Sequence, residues 1–359
     1  MKARIAVLAG DGIGPEVTNE AVVLLQRAGE LYGHHFEFEA AAIGGAAIDA
    51  TGDPLPMATR AVVQRADAVL LGAVGGPKWG TDAVRPEQGL LGLRALLGTY
   101  ANVRPVTVLP ALAELSPVRA DRVRGTDLLF VRELTGGAYF GAKSRQEGAR
   151  DQGLVATDAM VYSETEIARV VRLAAGFARE RSGRLTSVDK ANVLETSRLW
   201  REVTTRIVRD EFPDVTLEHV LVDSFAMLLI QRPTAYDVIV TENLFGDILT
   251  DEAAVLTGSI GLLPSASLGV AADGAVRGLY EPIHGSAPDI AGQGKANPAG
   301  AMLSTALLLR HSLGLERVAS AVESAVFGVL NAGARTADLC TEGAVSTSEF
   351  GRLVRERLA

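Results

Sequence analysis

In the segment TENLFGDILTDEA, Asp247 and Asp251 stand four residues apart, directly after the strand-like run DVIVTE (237–242). On a helix that spacing puts both carboxylates on one face, an unfavourable pairing unless a cation lies between them. Asp223 closes a second strand-like run, LEHVLVD (217–223), and open α/β sheets bind ligands at the carboxyl ends of their strands. Three aspartates offer only hard oxygen donors, which suit Mg2+ or Mn2+ completed by substrate oxygens and water. The alternative is a solvated acidic helix face, against which Leu244, Phe245, Ile248 and Leu249 argue, because they make the helix partly buried.

Arginines supply the opposite charge. In EQGLLGLRALLGTYANVRP (87–105) a helical pattern gives way to an extended one, and Glu87, Leu90, Leu91 and Arg94 share one face of the helix. An arginine beside two leucines makes a wall for a carboxylate next to an aliphatic group. Arg104 follows ten residues on and Arg132 lies in the strand-like FVREL. Three arginines of this kind can clamp two carboxylates through bidentate hydrogen bonds; each taken alone reads more readily as a surface residue, and their place at strand ends and on a helix face favours the site. Two groups could move protons. Lys190, in the apolar LTSVDKA (185–191), can lose its proton near neutral pH if buried beside other cations. Tyr139, in ELTGGAYFG, has glycines leaving room around its ring, though buried tyrosines are commonly core. Lysine is scarce, limited to Lys2, Lys78, Lys143, Lys190 and Lys295 among 35 basic residues.

Two glycine-rich stretches compete as a cofactor loop. VLAGDGIGPEV (7–17) lacks the third glycine of a dinucleotide fingerprint, since that position falls on Pro15 or Val17. It reads as a tight strand–turn–helix with proline in the first helical turn. EPIHGSAPDIAGQGKANP (281–298) is the stronger candidate. Its small residues let a ligand approach the backbone, and its prolines restrict it. Asp289 can accept from a ribose diol and repel a 2′-phosphate, and His284 can stack on or hydrogen-bond an adenine.

The elements that must position these groups alternate in type. Strand-like runs at 4–9, 36–40, 67–74, 127–134, 185–191, 217–223 and 237–242 are separated by helical patterns such as 16–33 and 197–212, and the chain after about residue 297 reads as helices. Such alternation implies an α/β fold with a partly parallel sheet. The 359 residues allow one large domain or two ordinary ones, and 48% hydrophobic with 22% charged residues is a globular balance. A net charge of −8 without a basic patch argues against nucleic acid. The apolar start is broken by Asp11 and no run is long enough to span a bilayer, so no membrane association and a cytoplasmic location are expected. A single cysteine, Cys340, excludes an intrachain disulfide and a cysteine-based metal cluster.

Taken together, GDGIGPEV, LLGAVGGPKW (70–79), YANVRP (100–105), VRELTGGAYFG (131–141), VDKANVL (188–194), ENLFGDILTDEA (242–253) and EPIHGSAPDIAGQGKANP resemble the isocitrate/isopropylmalate dehydrogenase family, in the family's order and over nearly the whole chain. The resemblance implies an isopropylmalate-dehydrogenase-like α/β fold, not a Rossmann fold, with two α/β domains sharing a mixed sheet. It places residues 1–104 with 260–359 on the cofactor side, and 105–259 in a substrate, metal and dimerisation domain. It implies NAD-dependent oxidative decarboxylation of (2R,3S)-3-isopropylmalate to 4-methyl-2-oxopentanoate, in leucine biosynthesis. Alternatives are homoisocitrate, D-malate, tartrate or isocitrate as substrate, or a non-catalytic regulatory homologue. Arg94, Arg104, Arg132 and Glu87 are then substrate-binding, with Leu90, Leu91 and Val193 around the isopropyl group. Asp223, Asp247 and Asp251 hold Mg2+ or Mn2+, Asp223 also facing the substrate. Lys190 takes the hydroxyl proton and Tyr139 protonates the enol carbon. Gly76, Pro77, Glu87, His284, Gly285, Ser286, Ala287, Asp289 and Asn297 line the NAD site. Lys190, Val193 and Asp223 are expected to reach across from a second subunit, which makes the protein an obligate homodimer.

Overall fold

The computed structural model describes residues 1–79, 84–270 and 276–358. In chain order the elements are β1 (Lys2–Gly10), α1 (Gly14–Tyr32), β2 (His35–Ala40), α2 (Gly44–Thr51), α3 (Met57–Arg65), β3 (Ala68–Ala73), α4 (Pro86–Leu97) and β4 (Ala101–Thr107). Then come α5 (Ala120–Val123), β5 (Asp127–Glu133), β6 (Lys143–Glu147), β7 (Leu154–Asp158), α6 (Glu164–Glu180), β8 (Arg184–Asp189), α7 (Glu195–Glu211) and β9 (Thr216–Leu221). The chain finishes with α8 (Val222–Gln231), β10 (Val238–Thr241), α9 (Asn243–Val255), β11 (Pro264–Val270), β12 (Val276–Pro282), α10 (Ala299–His311), α11 (Glu316–Asn331) and α12 (Thr347–Arg357). No helix of the described residues is long and apolar enough to cross a membrane.

Contacts divide the chain into two compact units: Met1–Thr99, Val108–Ala120 and Thr257–Ala359 in the first, Tyr100–Thr107 and Asp121–Leu256 in the second. Against the expected division at 104/105, the whole of β4 joins the second unit, because it pairs antiparallel with β5 along its length, from Ala101↔Glu133 to Thr107↔Asp127. The segment after β4 returns to the first unit, where Leu112 and Ala113 are buried and the Arg335 guanidinium donates to the Ala111 carbonyl.

In the first unit the strand order is β2-β1-β3-β12-β11. The first four run parallel and β11 pairs antiparallel with β12. β3, AVLLGA, is buried throughout, as expected of a parallel strand covered on both faces. α10, rich in alanine and leucine, is buried through Leu309 and forms the centre of this unit's helical layer.

The second unit has the order β4-β5-β10-β8-β9, parallel except for β4. β6 and β7 form a separate two-stranded antiparallel sheet whose side chains are almost all exposed. The sequence reading did not anticipate β6, β7, β11 or β12. KSRQE and LVATD never bury a face, so they carry no period-2 alternation, while PSASLGV is too small and polar to stand out.

Candidate active site

α9 is the backbone of the charged site. Its N-cap is Glu242, whose carboxylate accepts from Leu244 N at 3.0 Å and Phe245 N at 2.6 Å, satisfying orphan amides of the first turn. Glu242 is buried and also accepts from the Tyr162 hydroxyl at 3.1 Å; burial raises its carboxyl above the usual range.

Asp247 and Asp251 lie one turn apart on α9, as the spacing predicts, and each meets an arginine. Asp247 is bonded by Arg132 Nη1 and by the Tyr139 hydroxyl. Asp251 accepts from Arg104 Nη1 at 3.3 Å, and the same nitrogen donates to Thr250 Oγ1 at 2.8 Å. Asn102 accepts from Arg104 Nε at 2.7 Å. The like-charge cost of the two aspartates is therefore met by two cations from β4 and β5. Burial works against ionisation of Asp247, yet Arg132, Tyr139 and Arg104 hold its carboxyl below the ordinary value, so it is charged at neutral pH. Burial, together with the adjacent Asp247 carboxylate, raises the Tyr139 phenol above its usual value, so it is protonated at neutral pH. Arg132 also lies over the Tyr139 ring.

Lys190 and Asp223 depart from their expected settings. Lys190 stands just past the end of β8, and Asp223 lies in the first turn of α8 instead of closing β9. They pair with each other, Lys190 Nζ to Asp223 Oδ1 at 2.5 Å, and that hydrogen bond holds the Asp223 carboxyl below its ordinary value. The lysine's charged partner is thus a carboxylate, not the cations supposed from sequence. Asp189 steadies the turn: buried, it accepts from Ala191 N at 2.9 Å and twice from Arg201 at 2.8 Å. Val193, on the same turn, is 61% exposed.

Among the described residues no three His, Cys, Asp or Glu side chains come together as a metal site. A single chain therefore does not complete the aspartate triad read from sequence. Asp247 and Asp251 nevertheless fit a hard divalent cation as two exposed or half-exposed carboxylates one helical turn apart, Asp251 being 70% exposed.

The first unit carries the other expected groups. Arg94, on α4, donates through Nη2 to Glu281 at 2.9 Å, and its buried Nε has no acceptor among the described residues. Leu90 packs against the apolar cluster that includes Leu55, Leu93 and Leu279, whereas Leu91 and Glu87 are exposed.

GDGIGPEV is a structural turn. A Cβ at Gly10 (φ +73°) would lie 1.9 Å from the Ala73 carbonyl oxygen, and one at Gly12 (φ +59°) 1.9 Å from that of Ser286. Asp11, buried, accepts from Gly45 N, Ala46 N and Gly75 N at 2.7–2.9 Å, so it ties α2 to the Gly75–Pro77 turn. The 281–298 loop is held from below: Ile13 N donates to the Ser286 carbonyl at 2.8 Å, and Glu16 accepts from Gly292 N and Gly294 N. Ala287 adopts a left-handed φ of 37°, while Gly285 and Asp289 are exposed. His284 is buried; Nδ1 faces the Gly285 carbonyl and Nε2 has no partner among the described residues. Burial depresses its basicity, and with Nδ1–H donating to the Gly285 carbonyl the neutral ring leaves Nε2 as an unused acceptor, which fits a ligand with a donor edge. Asn297 is occupied structurally, capping α10 through Ala299 N and donating to Asp338.

Sequence reasoning passed over Glu242, Asn243, Asn102, Thr250, Glu281 and Asp11, the residues that hold the site's charges in place. All are buried, and burial is not legible from residue type alone; their only sequence signal was to lie within the motifs already singled out.

This fold and this charge arrangement define a class. Residues 4–354 match the family model described as isocitrate/isopropylmalate dehydrogenase; the chain belongs to that family. Its curated relatives include 3-isopropylmalate dehydrogenases of Oleidesulfovibrio alaskensis, 56% identical, and Rhodopirellula baltica, 55% identical, each aligned over 100% of both chains. Among solved structures, isocitrate dehydrogenase from Methylococcus capsulatus superposes with a TM-score of 0.86 at 32% identity, covering 99% of each chain. A β-decarboxylating dehydrogenase from Thermococcus kodakarensis gives 0.80 at 36% identity, covering 99% of this chain and 96% of the other.

Proposed function

We propose that this chain is an NAD-dependent decarboxylating dehydrogenase converting (2R,3S)-3-isopropylmalate to 4-methyl-2-oxopentanoate in leucine biosynthesis, acting as a cytoplasmic homodimer. The observation that carries this is the Arg132–Asp247–Tyr139 cluster, which joins a carboxylate-binding cation, a hard-oxygen metal donor and a protonated phenol. Full-length relatives of that name support the choice of substrate.

Arg94, Arg104 and Arg132 bind the two carboxylates. Leu90 and Leu91, with the partner subunit's Val193, surround the isopropyl group; a third carboxylate set against leucine would be left unpaired, which costs more than burying a neutral polar group without a partner. Asp247 and Asp251, with the partner subunit's Asp223, hold Mg2+ or Mn2+. The 284–289 loop, Gly76, Pro77 and Glu87 hold the dinucleotide, Asn297 supports the segment behind them through Ala299 and Asp338, and the exposed Asp289 carboxylate disfavours a 2′-phosphate. When bound, NAD+ supplies the hydride acceptor and the cation a Lewis acid. The partner subunit's Lys190, as the neutral amine once Asp223 engages the cation, takes the C2 hydroxyl proton directly or through water, and Tyr139 delivers a proton to the enol carbon left after CO2 departs.

The test is NADH production by the purified protein with Mg2+ on 3-isopropylmalate, isocitrate and D-malate, repeated with NADP+. A large kcat/KM preference for isopropylmalate with NAD+ is expected. Preference for another acid would overturn the roles of Leu90 and Leu91, and inactivity on all three would leave a non-catalytic homologue.

A further inference from the structure

Arg132 is held more completely than a residue that only needs to offer charge. Its stem lies on α9 at Gly246, where a Cβ would come within 2.6 Å of Arg132 Cγ, so the side chain has no room to tilt back. One edge of its guanidinium, Nε and Nη2, donates to Asn243 Oδ1 at 3.0 and 2.7 Å, while Nη1 meets Asp247. Asn243 is itself buried, at 2% exposure, and is held on its backbone side by Asn243 N donating to the Tyr162 hydroxyl at 3.0 Å. Its Nδ2 donates to the Gly136 carbonyl at 3.2 Å, at the start of the turn that carries Tyr139.

We propose that Asn243 is a positioning residue that presents Arg132 in one orientation, without a second opposing charge, to a substrate carboxylate while tethering the Gly136–Tyr139 turn. The inference rests on the dehydrogenase reading above. Only a carboxamide satisfies both bonds. A guanidinium can only donate and a carbonyl oxygen can only accept, so the group between them needs one acceptor and one donor, which also fixes which way the amide faces. A neutral acceptor adds no second negative charge beside Arg132, which is already paired with Asp247, whereas an aspartate would. With Nε and one N–H of Nη2 spent on Asn243 and one N–H of Nη1 on Asp247, each terminal nitrogen keeps one N–H to offer a carboxylate oxygen.

The experiment compares the intact protein with Asn243→Asp. It measures the Kd for 3-isopropylmalate by calorimetry with Mg2+ present, the KM values for substrate and NAD+, and the thermal midpoint. The substitution sets a second carboxylate against Arg132 and an acceptor against the Gly136 carbonyl. Kd and substrate KM should rise at least about tenfold, with the NAD+ KM within about twofold and a midpoint within a few degrees. Should the aspartate variant fail to fold, Asn243→Ala gives the same readout, with a smaller rise in Kd and a fall in kcat from the loosened tyrosine turn. A folded variant with unchanged Kd overturns the proposal. So does a parallel rise of both KM values with a lowered midpoint, which is what a purely structural residue would give. If the parent protein itself neither binds nor oxidises isopropylmalate, the dehydrogenase reading fails instead.

Discussion

The charged cluster around α9 and the 281–298 loop are built on opposite plans. Around α9 the working groups are ions, and each is matched in advance, Asp247 with Arg132 and Asp251 with Arg104; away from α9, Lys190 is matched in the same way with Asp223. In the loop the shaping is done by backbone. Glycines admit close approach, Ala287 sits in a left-handed conformation, and the buried imidazole of His284 is held neutral. A polar substrate with fixed charges is met by preorganised ions, whose reorganisation cost is met on folding. A long cofactor with a flat base and a flexible backbone is met by a surface of N–H groups and small side chains. Substitutions should therefore act on charge and turnover in one region, and on conformation and stability in the other.

The largest effect is expected in the charged region. Lys190→Met should lower kcat by about 10³-fold while substrate affinity stays within about threefold, as for loss of a proton-transfer group; turnover near the parent rate in a stopped-flow assay would remove Lys190 from the mechanism.

Acid should act first on the helix that follows the loop. His311, at the end of α10, has its basicity pushed down to about 4 by burial and by Arg310. The unfolded chain therefore takes up that proton before the folded one. The stability it contributes is complete above about pH 6.5 and falls by roughly 3 kcal/mol as pH drops to 4. Asp247 and Asp223, held below their usual range, keep their charges through most of that window. Urea unfolding from pH 7 to 4 should show this loss, and His311→Gln should flatten it; an unchanged slope would count against the assignment.

Gly12→Ala forces a side chain onto a left-handed backbone and against the Ser286 carbonyl, and should cost at least about 2 kcal/mol and raise the NAD+ KM. A variant as stable as the parent by thermal melting would show that the loop yields easily. Leu91→Ser should have the smallest effect, lowering kcat/KM for isopropylmalate by about tenfold relative to D-malate. An unchanged ratio would mean that Leu91 does not touch the substrate's alkyl group.

Much of this was legible beforehand because the relevant signals are local. The i, i+4 aspartates, the helix-to-extended switch at Gly98 and the missing third glycine of GDGIGPEV each depend on a few neighbouring residues, and each is found as read. Element boundaries were less faithful where a chemical group sits at the edge. Asp223 was taken as the last residue of a strand, but the chain turns into α8 at Val222, and Lys190 falls just beyond β8. The apolar run continues across both boundaries, so periodicity has nothing to mark them.

By itself the sequence determined the alternation of strands and helices, the chemistry available at each motif and the set of ionisable groups, because propensity, spacing and charge are properties of short stretches. Only the tertiary structure decided who pairs with whom. That Arg132 meets Asn243 and Asp247 across more than a hundred residues follows from β5 lying beside β10, with α9 springing from the end of β10. That Arg94 meets Glu281 requires a helix and a strand from distant parts of the chain. Such contacts depend on distances in space that no local pattern encodes, and they turn a list of charged residues into a site.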